Sequence, residues 1–321
     1  MFLQGWLRSL LLLALVMTGA CSPAAPLQSG PSLSEAAAPV SSPVHPPVAS
    51  PVGQPVLVRP ALPPEALPAP APTPFPTRAE PQITAPSALL IDAVTGRVIF
   101  EKNASERRAV ASTQKLLTAL VVYRDAPLSD LVQVKASDTQ VVPSKLYLKA
   151  GETYTRADLI KALIVKSGND VAKALARDVS GSQDAFVALM NQTALEIGMR
   201  NSHFKNPHGL TAEGQYSTAH DLGTLARAIL QIPYYRQCMQ TKEYLFQYPG
   251  GRTRKIENTN EVLDLLPYCT GMKTGTTRAS GKCLVSSGRL GNRSVIAVIL
   301  GSSEPKVWQE SVALLRYGLE R

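Results

Sequence analysis

Three short stretches of this 321-residue chain carry side chains able to act together on an acyl group. The first is Ser112-Thr113-Gln114-Lys115. A serine at a helix start has free backbone N–H groups and the positive end of the helix dipole beside it, which suits a developing oxyanion. A lysine three residues on projects from the same helix face, within reach of the serine hydroxyl. Partly buried near a second cation, that lysine could lose its proton and act as a base. Alone, the tetrapeptide more often means a capping serine and a solvated lysine, and Ser202–Lys205 and Ser303–Lys306 share its spacing. Only the first opens a strongly apolar helix just after a hairpin.

Ser167-Gly168-Asn169 comes 55 residues after Ser112, on a tight turn between two helical stretches. Its hydroxyl could relay a proton, and the Asn169 amide could orient a substrate amide or the lysine base; the plain alternative is a helix cap with a glycine turn. Lys273-Thr274-Gly275 lies on a strand-like run and is the only Lys-[Ser/Thr]-Gly in the chain. Lysine and threonine on a strand edge can hold a carboxylate, and glycine lets a substrate backbone lie close. Other chemistries lack support. His45, His203, His208 and His220 form no metal-ligand spacing, so neither metal nor cofactor is expected. A Ser-His-Asp site is left open by spacing but has no motif.

The elements that must position these residues can be read coarsely. Ala88–Ile91 and Val98–Phe100 are apolar runs around a glycine-containing turn and predict a hairpin. Residues 112–124 predict a helix, as do 156–166, 170–179 and 183–197, the last stopped by Gly198. Thr218-Ala219-His220-Asp221 has the form of a capping box opening a helix to Gln231. Strand character returns over 272–276, 282–286 and 294–300, before a last helix, 305–319. Strands at both ends with helices between them predict an α+β fold: one antiparallel sheet closed by the termini, with an all-helical subdomain inserted over about 125–231.

The N-terminal part reads differently. Of the 26 prolines, 19 fall in residues 22–86, and residues 1–86 carry three arginines against three glutamates. The formal charge of +9 therefore belongs to residues 87–321. Residues 1–21 combine Arg8, the apolar run Leu10–Met17 and small residues before Cys21, the pattern of an export signal. Residues 22–86 predict a disordered, polyproline-like tether, able to reach roughly 200 Å at about 3.1 Å per residue. That leaves 87–321 as one folded unit.

In this order and context, Ser-x-x-Lys, Ser-x-Asn and Lys-Thr-Gly form the set shared by penicillin-binding proteins and serine β-lactamases. Residues 83–302 resemble the serine-type D-alanyl-D-alanine carboxypeptidases, the low-molecular-mass penicillin-binding proteins. The likeness extends to Ala111–Thr118, Val165–Asp170, Asn206-Pro207-His208-Gly209-Leu210, Tyr216–Ala219, Asn258–Asn260 and Gly271–Thr277 with Ala279-Ser280-Gly281. The resemblance implies the β-lactamase/DD-peptidase-like fold and removal of the terminal D-alanine from peptidoglycan pentapeptides. It makes Ser112 the nucleophile, Lys115 its base and Ser167 the relay to the leaving D-alanine. It gives Asn169 the substrate amide, Lys273, Thr274 and Thr276 the terminal carboxylate, and the Ser112 and Thr276 N–H groups the oxyanion, with Gly275 at the substrate's backbone. β-Lactams are then expected to acylate Ser112.

Cys21 resembles a lipoprotein's lipidated cysteine, although Thr18 stands where leucine is usual; the expectation is an exported, membrane-anchored protein of the cell envelope or periplasm. Some relatives carry a C-terminal β-rich domain and an anchoring helix, whereas here 46 residues follow Gly275. Gln114 occupies a position that is often Thr in the family. Rival readings are a D,D-endopeptidase using the same residues, a serine β-lactamase, and an inactive peptidoglycan-binding scaffold. Glu196–Asn201 does not fit the class A deacylation motif, and no triplet is lost. A nucleic-acid partner, which the charge alone would admit, lacks an aromatic-basic motif and conflicts with export. Cys269 and Cys283 could face each other across adjacent strands as a disulfide or stay as buried thiols.

Overall fold

The computed structural model describes residues 79–320; the expected leader with Cys21, and the proline-rich segment up to residue 78, lie outside the described residues. The apolar runs near the two ends of the folded part build one sheet. Strands β1 (Ser87–Asp92) and β2 (Val98–Lys102) form the expected hairpin. Its turn is closed by the Asp92 carboxylate, which accepts from the N–H groups of Val94 (3.0 Å) and Thr95 (2.7 Å). A 3₁₀ turn, Ala111–Gln114, leads into α1 (Lys115–Asp125). The inserted segment then runs β3 (Leu131–Gln133), α2 (Ala136–Thr139), β4 (Thr153–Thr155), α3 (Arg156–Val165), α4 (Asn169–Ser180), α5 (Gln183–Glu196) and α6 (Ala219–Leu230). It is mostly helical, with one short antiparallel ribbon, β3–β4, that the sequence reading did not foresee.

After α7 (Pro233–Gln240) comes a second ribbon, β5 (Glu243–Gln247) with β6 (Thr253–Glu257), and a short α8 (Val262–Leu265). The chain returns through β7 (Cys269–Thr277), β8 (Gly281–Leu290) and β9 (Arg293–Ser302) to α9 (Lys306–Leu319). The large sheet has the order β2-β1-β9-β8-β7, all neighbours antiparallel. The first hairpin thus pairs with the last strand of the meander, closing the sheet by its termini as expected. One face carries α9, with Trp308, Leu314 and Leu315 against Leu90, Leu284 and Ile299. The other face carries the inserted helices over Leu89, Val285 and Val298. β7 is left at the sheet edge, beside the start of α1.

Two boundaries differ from expectation. Residues 83–86, read with the tether, belong to the folded unit. Ile83 and Ala85 are buried, and the N–H groups of Thr84 and Ala85 donate to the Glu310 carboxylate at 2.6 and 2.9 Å. At the α6 start, Thr218 caps the Asp221 N–H (3.0 Å). The Asp221 carboxylate does not return to Thr218; it accepts from the Asn201 N–H (2.7 Å) and the Ser202 hydroxyl (2.6 Å). That absorbs the serine of one competing Ser-x-x-Lys into a structural bond.

Candidate active site

Ser112 sits in the 3₁₀ turn, not in the α-helix that the sequence predicts from residue 112. The turn is entered through Ala111 at φ 48°, an unfavourable conformation for a residue with a Cβ. With three residues per 3₁₀ turn, positions i and i+3 fall in line. Lys115 therefore lies over Ser112, its Nζ 2.8 Å from Oγ. The lysine is completely buried, and Nζ also donates to Asn169 Oδ1 (2.7 Å) and the His208 carbonyl (2.5 Å). Burial drives its pKa well below the usual lysine value; the charge of Lys273 lowers it further, and Asp170 opposes both. A neutral amine has two N–H donors and one lone pair. When Lys115 is neutral, the two fixed acceptors can take both donors and leave the lone pair to the serine hydroxyl.

The carbonyl that completes this arrangement comes from a segment distant in sequence. Asn206 Oδ1 accepts from the N–H groups of His208 (3.3 Å) and Gly209 (2.7 Å), folding residues 206–209 into a tight turn. The turn's carbonyls are taken by one face of the nucleophile element. Gln114 Nε2 donates to Asn206 O (2.5 Å), Lys115 to His208 O and Thr118 Oγ1 to Pro207 O (2.6 Å). Gly209 has φ +87°, and a Cβ there would lie 2.1 Å from the Ala111 carbonyl, so only glycine fits. Burial, with Lys115 and Lys173 nearby, pushes the His208 imidazole down to about 3, which keeps it neutral.

Ser167 follows α3 in the left-handed region, φ 65°, and lines the same cleft as Ser112. Asn169 opens α4; its N–H donates to Ser144 O (2.7 Å) and its Nδ2 to Val142 O (2.9 Å), leaving Oδ1 to Lys115. The neighbouring Asp170 is buried and accepts from the N–H groups of Leu146 (2.9 Å), Tyr147 (2.7 Å) and Leu148 (3.2 Å). One helix start thus fixes both the lysine and the loop that walls the cleft.

The opposite wall is β7. Gly275 packs against the nucleophile turn: an added Cβ would lie 2.8 Å from Ser112 N and 2.9 Å from Thr113 N. Thr274 and Thr276 line the cleft, and Thr274 Oγ1 is 2.6 Å from Thr259 Oγ1. Lys273 is buried beneath the strand, its Nζ donating to the Thr274 carbonyl (3.0 Å), and burial pushes it down to about 7. The register sets Cys283 opposite Gly275 and Cys269 opposite Gly288, six positions apart on β7, so the two cannot pair. All three described cysteines are free, and burial raises both thiols to about 11.

The cleft has a volume of about 360 Å³ and gathers Ser112, Ser167, Asn169, Thr274, Gly275 and Thr276, with Lys115 and Lys273 beneath it. Ser112, Lys115, Ser167, Asn169 and residues 273–276, expected from the sequence as catalytic or substrate-binding, are therefore at one site. Beyond Thr276 the cleft extends to a Lys282–Glu304 ion pair (2.5 Å) and to Trp308. The Lys282 ammonium holds the exposed Glu304 carboxyl below its usual range, while the Trp308 N–H is buried without a hydrogen-bond partner. The sequence reading assigned no role to Asp170, Thr259, Gly209 or the His208 carbonyl. The Asn-Pro-His-Gly string was the available signal for the last two.

A family model described as D-alanyl-D-alanine carboxypeptidase (peptidase S11) matches residues 75–304. The chain is 36% identical over 227 residues to D-alanyl-D-alanine carboxypeptidase DacF of Bacillus subtilis, covering 69% of this chain and 58% of that one. It is 36% identical over 253 residues to DacC of Escherichia coli, covering 74% and 62%. It thus spans about three fifths of the length of these curated relatives. Among solved structures, a D-alanyl-D-alanine carboxypeptidase of Mycobacterium tuberculosis superposes with TM-score 0.71 at 32% identity, over 74% of this chain and 92% of that one. The Streptomyces K15 DD-transpeptidase does so with TM-score 0.72 at 27% identity, over 75% and 99%.

Proposed function

Because the chain belongs to the D-alanyl-D-alanine carboxypeptidase family, we propose that it is a serine hydrolase removing the terminal D-alanine from peptidoglycan pentapeptides. The observation that carries this reading is the buried Lys115 amine: one serine hydroxyl at 2.8 Å and two pure acceptors that can take its N–H donors and leave its lone pair to that hydroxyl. Lys115 takes the Ser112 proton as Oγ attacks the D-Ala–D-Ala carbonyl carbon. The N–H groups of Ser112 and Thr276 receive the oxyanion. Ser167 carries a proton to the departing amine, so that D-alanine leaves and an ester on Ser112 stays. Water then attacks that ester, releasing the shortened peptide and returning the proton to Ser112. Asn169 Nδ2 and the β7 edge hold the peptide. Thr274 and Thr276 meet the terminal carboxylate, with the charge of Lys273 below. The same chemistry makes β-lactams covalent inhibitors.

Incubating the purified protein with a pentapeptide and quantifying free D-alanine tests the reading. Release of one equivalent per peptide is expected; none from the wild type, or undiminished release from Ser112→Ala, overturns it. In cross-linked muropeptides, loss of alanine without dimer-to-monomer conversion separates the carboxypeptidase from the endopeptidase alternative. The sequence further supports export, lipidation of Cys21 and a tether that lets the catalytic unit work at the envelope. Cys21→Ala is then expected to move the protein from the membrane to the soluble fraction; unchanged fractionation removes the anchor.

A further inference from the structure

Tyr147 stands out against the economy of the rest of the cleft wall. Its backbone is left-handed, φ 63°, which is unfavourable for an aromatic residue, yet its side chain is 54% exposed. The conformation is imposed from below. Asp170 accepts the Tyr147 N–H at 2.7 Å and those of Leu146 and Leu148 on either side. The Tyr248 hydroxyl donates to Leu146 O at 2.8 Å. A buried carboxylate and a buried tyrosine thus fix the backbone from which an aromatic ring stands out in solvent. The ring is flanked by cations: Lys145 Nζ and Arg254 Cζ each lie 5.8 Å from its centroid. Lys145 is itself tethered to Thr139 O (2.7 Å), and Arg252 stacks on Tyr248 at 3.6 Å. Ser144, three residues before Tyr147, lines the catalytic cleft, so the Tyr147 Cα is within about 10 Å of a cleft-lining residue.

An exposed ring on a fixed backbone with cations beside it fits a ligand with flat C–H faces, hydroxyls and carboxylates: a saccharide chain bearing acidic peptides. We propose that Tyr147, with Lys145 and Arg254, is a platform outside the cleft that holds the saccharide chain of polymeric peptidoglycan while a stem peptide enters the cleft. The proposal rests on the peptidoglycan reading above. It adds a polymer-binding surface that soluble pentapeptides and β-lactams do not need.

The test compares full-length protein on three substrates: insoluble peptidoglycan sacculi, a soluble pentapeptide and a fluorescent penicillin. Sacculus binding is measured in the Ser112→Ala background, so that the polymer stays intact. Tyr147→Ala and Tyr147→Gly are each expected to weaken sacculus binding by roughly tenfold. Pentapeptide turnover and penicillin labelling, measured with Ser112 present, should stay within about twofold, and Tyr147→Trp should keep sacculus affinity. Glycine adopts φ 63° freely, so normal sacculus binding by Tyr147→Gly would show a purely conformational role and overturn the platform. Parallel loss of pentapeptide turnover would place the ring in shaping the cleft and overturn it as well. Competition by polyglutamate equal to that by solubilised sacculus fragments would reduce the surface to charge alone. If the wild type releases no D-alanine and takes no label, the catalytic reading fails, while the sacculus comparison still decides the platform.

Discussion

The two walls of the cleft are built on opposite plans. On the helix side the reactive atoms are spoken for: Lys115 Nζ has three partners, and the Asn169 amide is bonded through both its nitrogen and its oxygen. On the strand side, β7 presents a backbone edge, two threonines and a glycine, with its lysine sunk beneath. Full bonding fixes geometry and tunes a proton affinity, which is what a base needs. An edge strand left unpaired on one side is ready to take an extended peptide. On the proposed reading, one wall does chemistry and the other binds.

Substitutions should separate the two. The largest effect belongs to Ser112→Ala, which removes the attacking atom; kcat/KM for pentapeptide should fall by about 10⁴-fold or more, read as D-alanine release. Lys115→Met, similar in volume, should leave binding intact and lower the acylation rate by roughly 10²- to 10⁴-fold. Gly275→Ala attacks the joint between the walls. Its Cβ would sit 2.8 Å from Ser112 N, so β7 must back away from the nucleophile, and a loss of about 10²-fold in acylation is expected. A smaller change would show that the walls tolerate displacement.

Lys273→Met should act on both walls. Removing that positive charge raises the pKa of Lys115, so the acid limb of the acylation profile moves to higher pH. KM for carboxylate-bearing peptides should rise more than that for an amidated analogue. An unmoved acid limb would deny the coupling between the lysines. The last effect concerns stability and not turnover. The folded pKa of His208, about 3, lies below its ordinary 6.5. Between those values the unfolded chain binds a proton that the native state does not, so stability falls as pH falls through that window, by up to about 1.4 kcal/mol per unit. Denaturant melts at pH 7, 5 and 4 should show a shallower acid loss in His208→Gln.

Much of this was legible in the sequence, and the exceptions have a common cause. Ser112, Lys115, Ser167, Asn169 and Lys273 carry their chemistry in side chains at fixed local spacings, and the hairpin, meander and long helices announce themselves by apolar runs. The His208 carbonyl carries no such mark, because every residue has one; only the turn made by Asn206 and Gly209 aims it. Lysine reads as a surface residue, so the depth of Lys273 became visible only with the sheet in place. The β5–β6 ribbon escaped notice because Phe246 and Tyr248 pack on Tyr154, a contact across about 90 residues. Ile83 was hidden at the end of a proline-rich run.

The central claim is that Lys115 arms Ser112, and the most direct measurement is covalent. Intact-mass spectrometry after brief exposure to a penicillin should show a single adduct per chain, and peptide mapping should place it on Ser112. The adduct should be lost in Ser112→Ala and formed far more slowly in Lys115→Met. No adduct on the wild type, an adduct on another residue, or unchanged acylation of Lys115→Met would contradict the account.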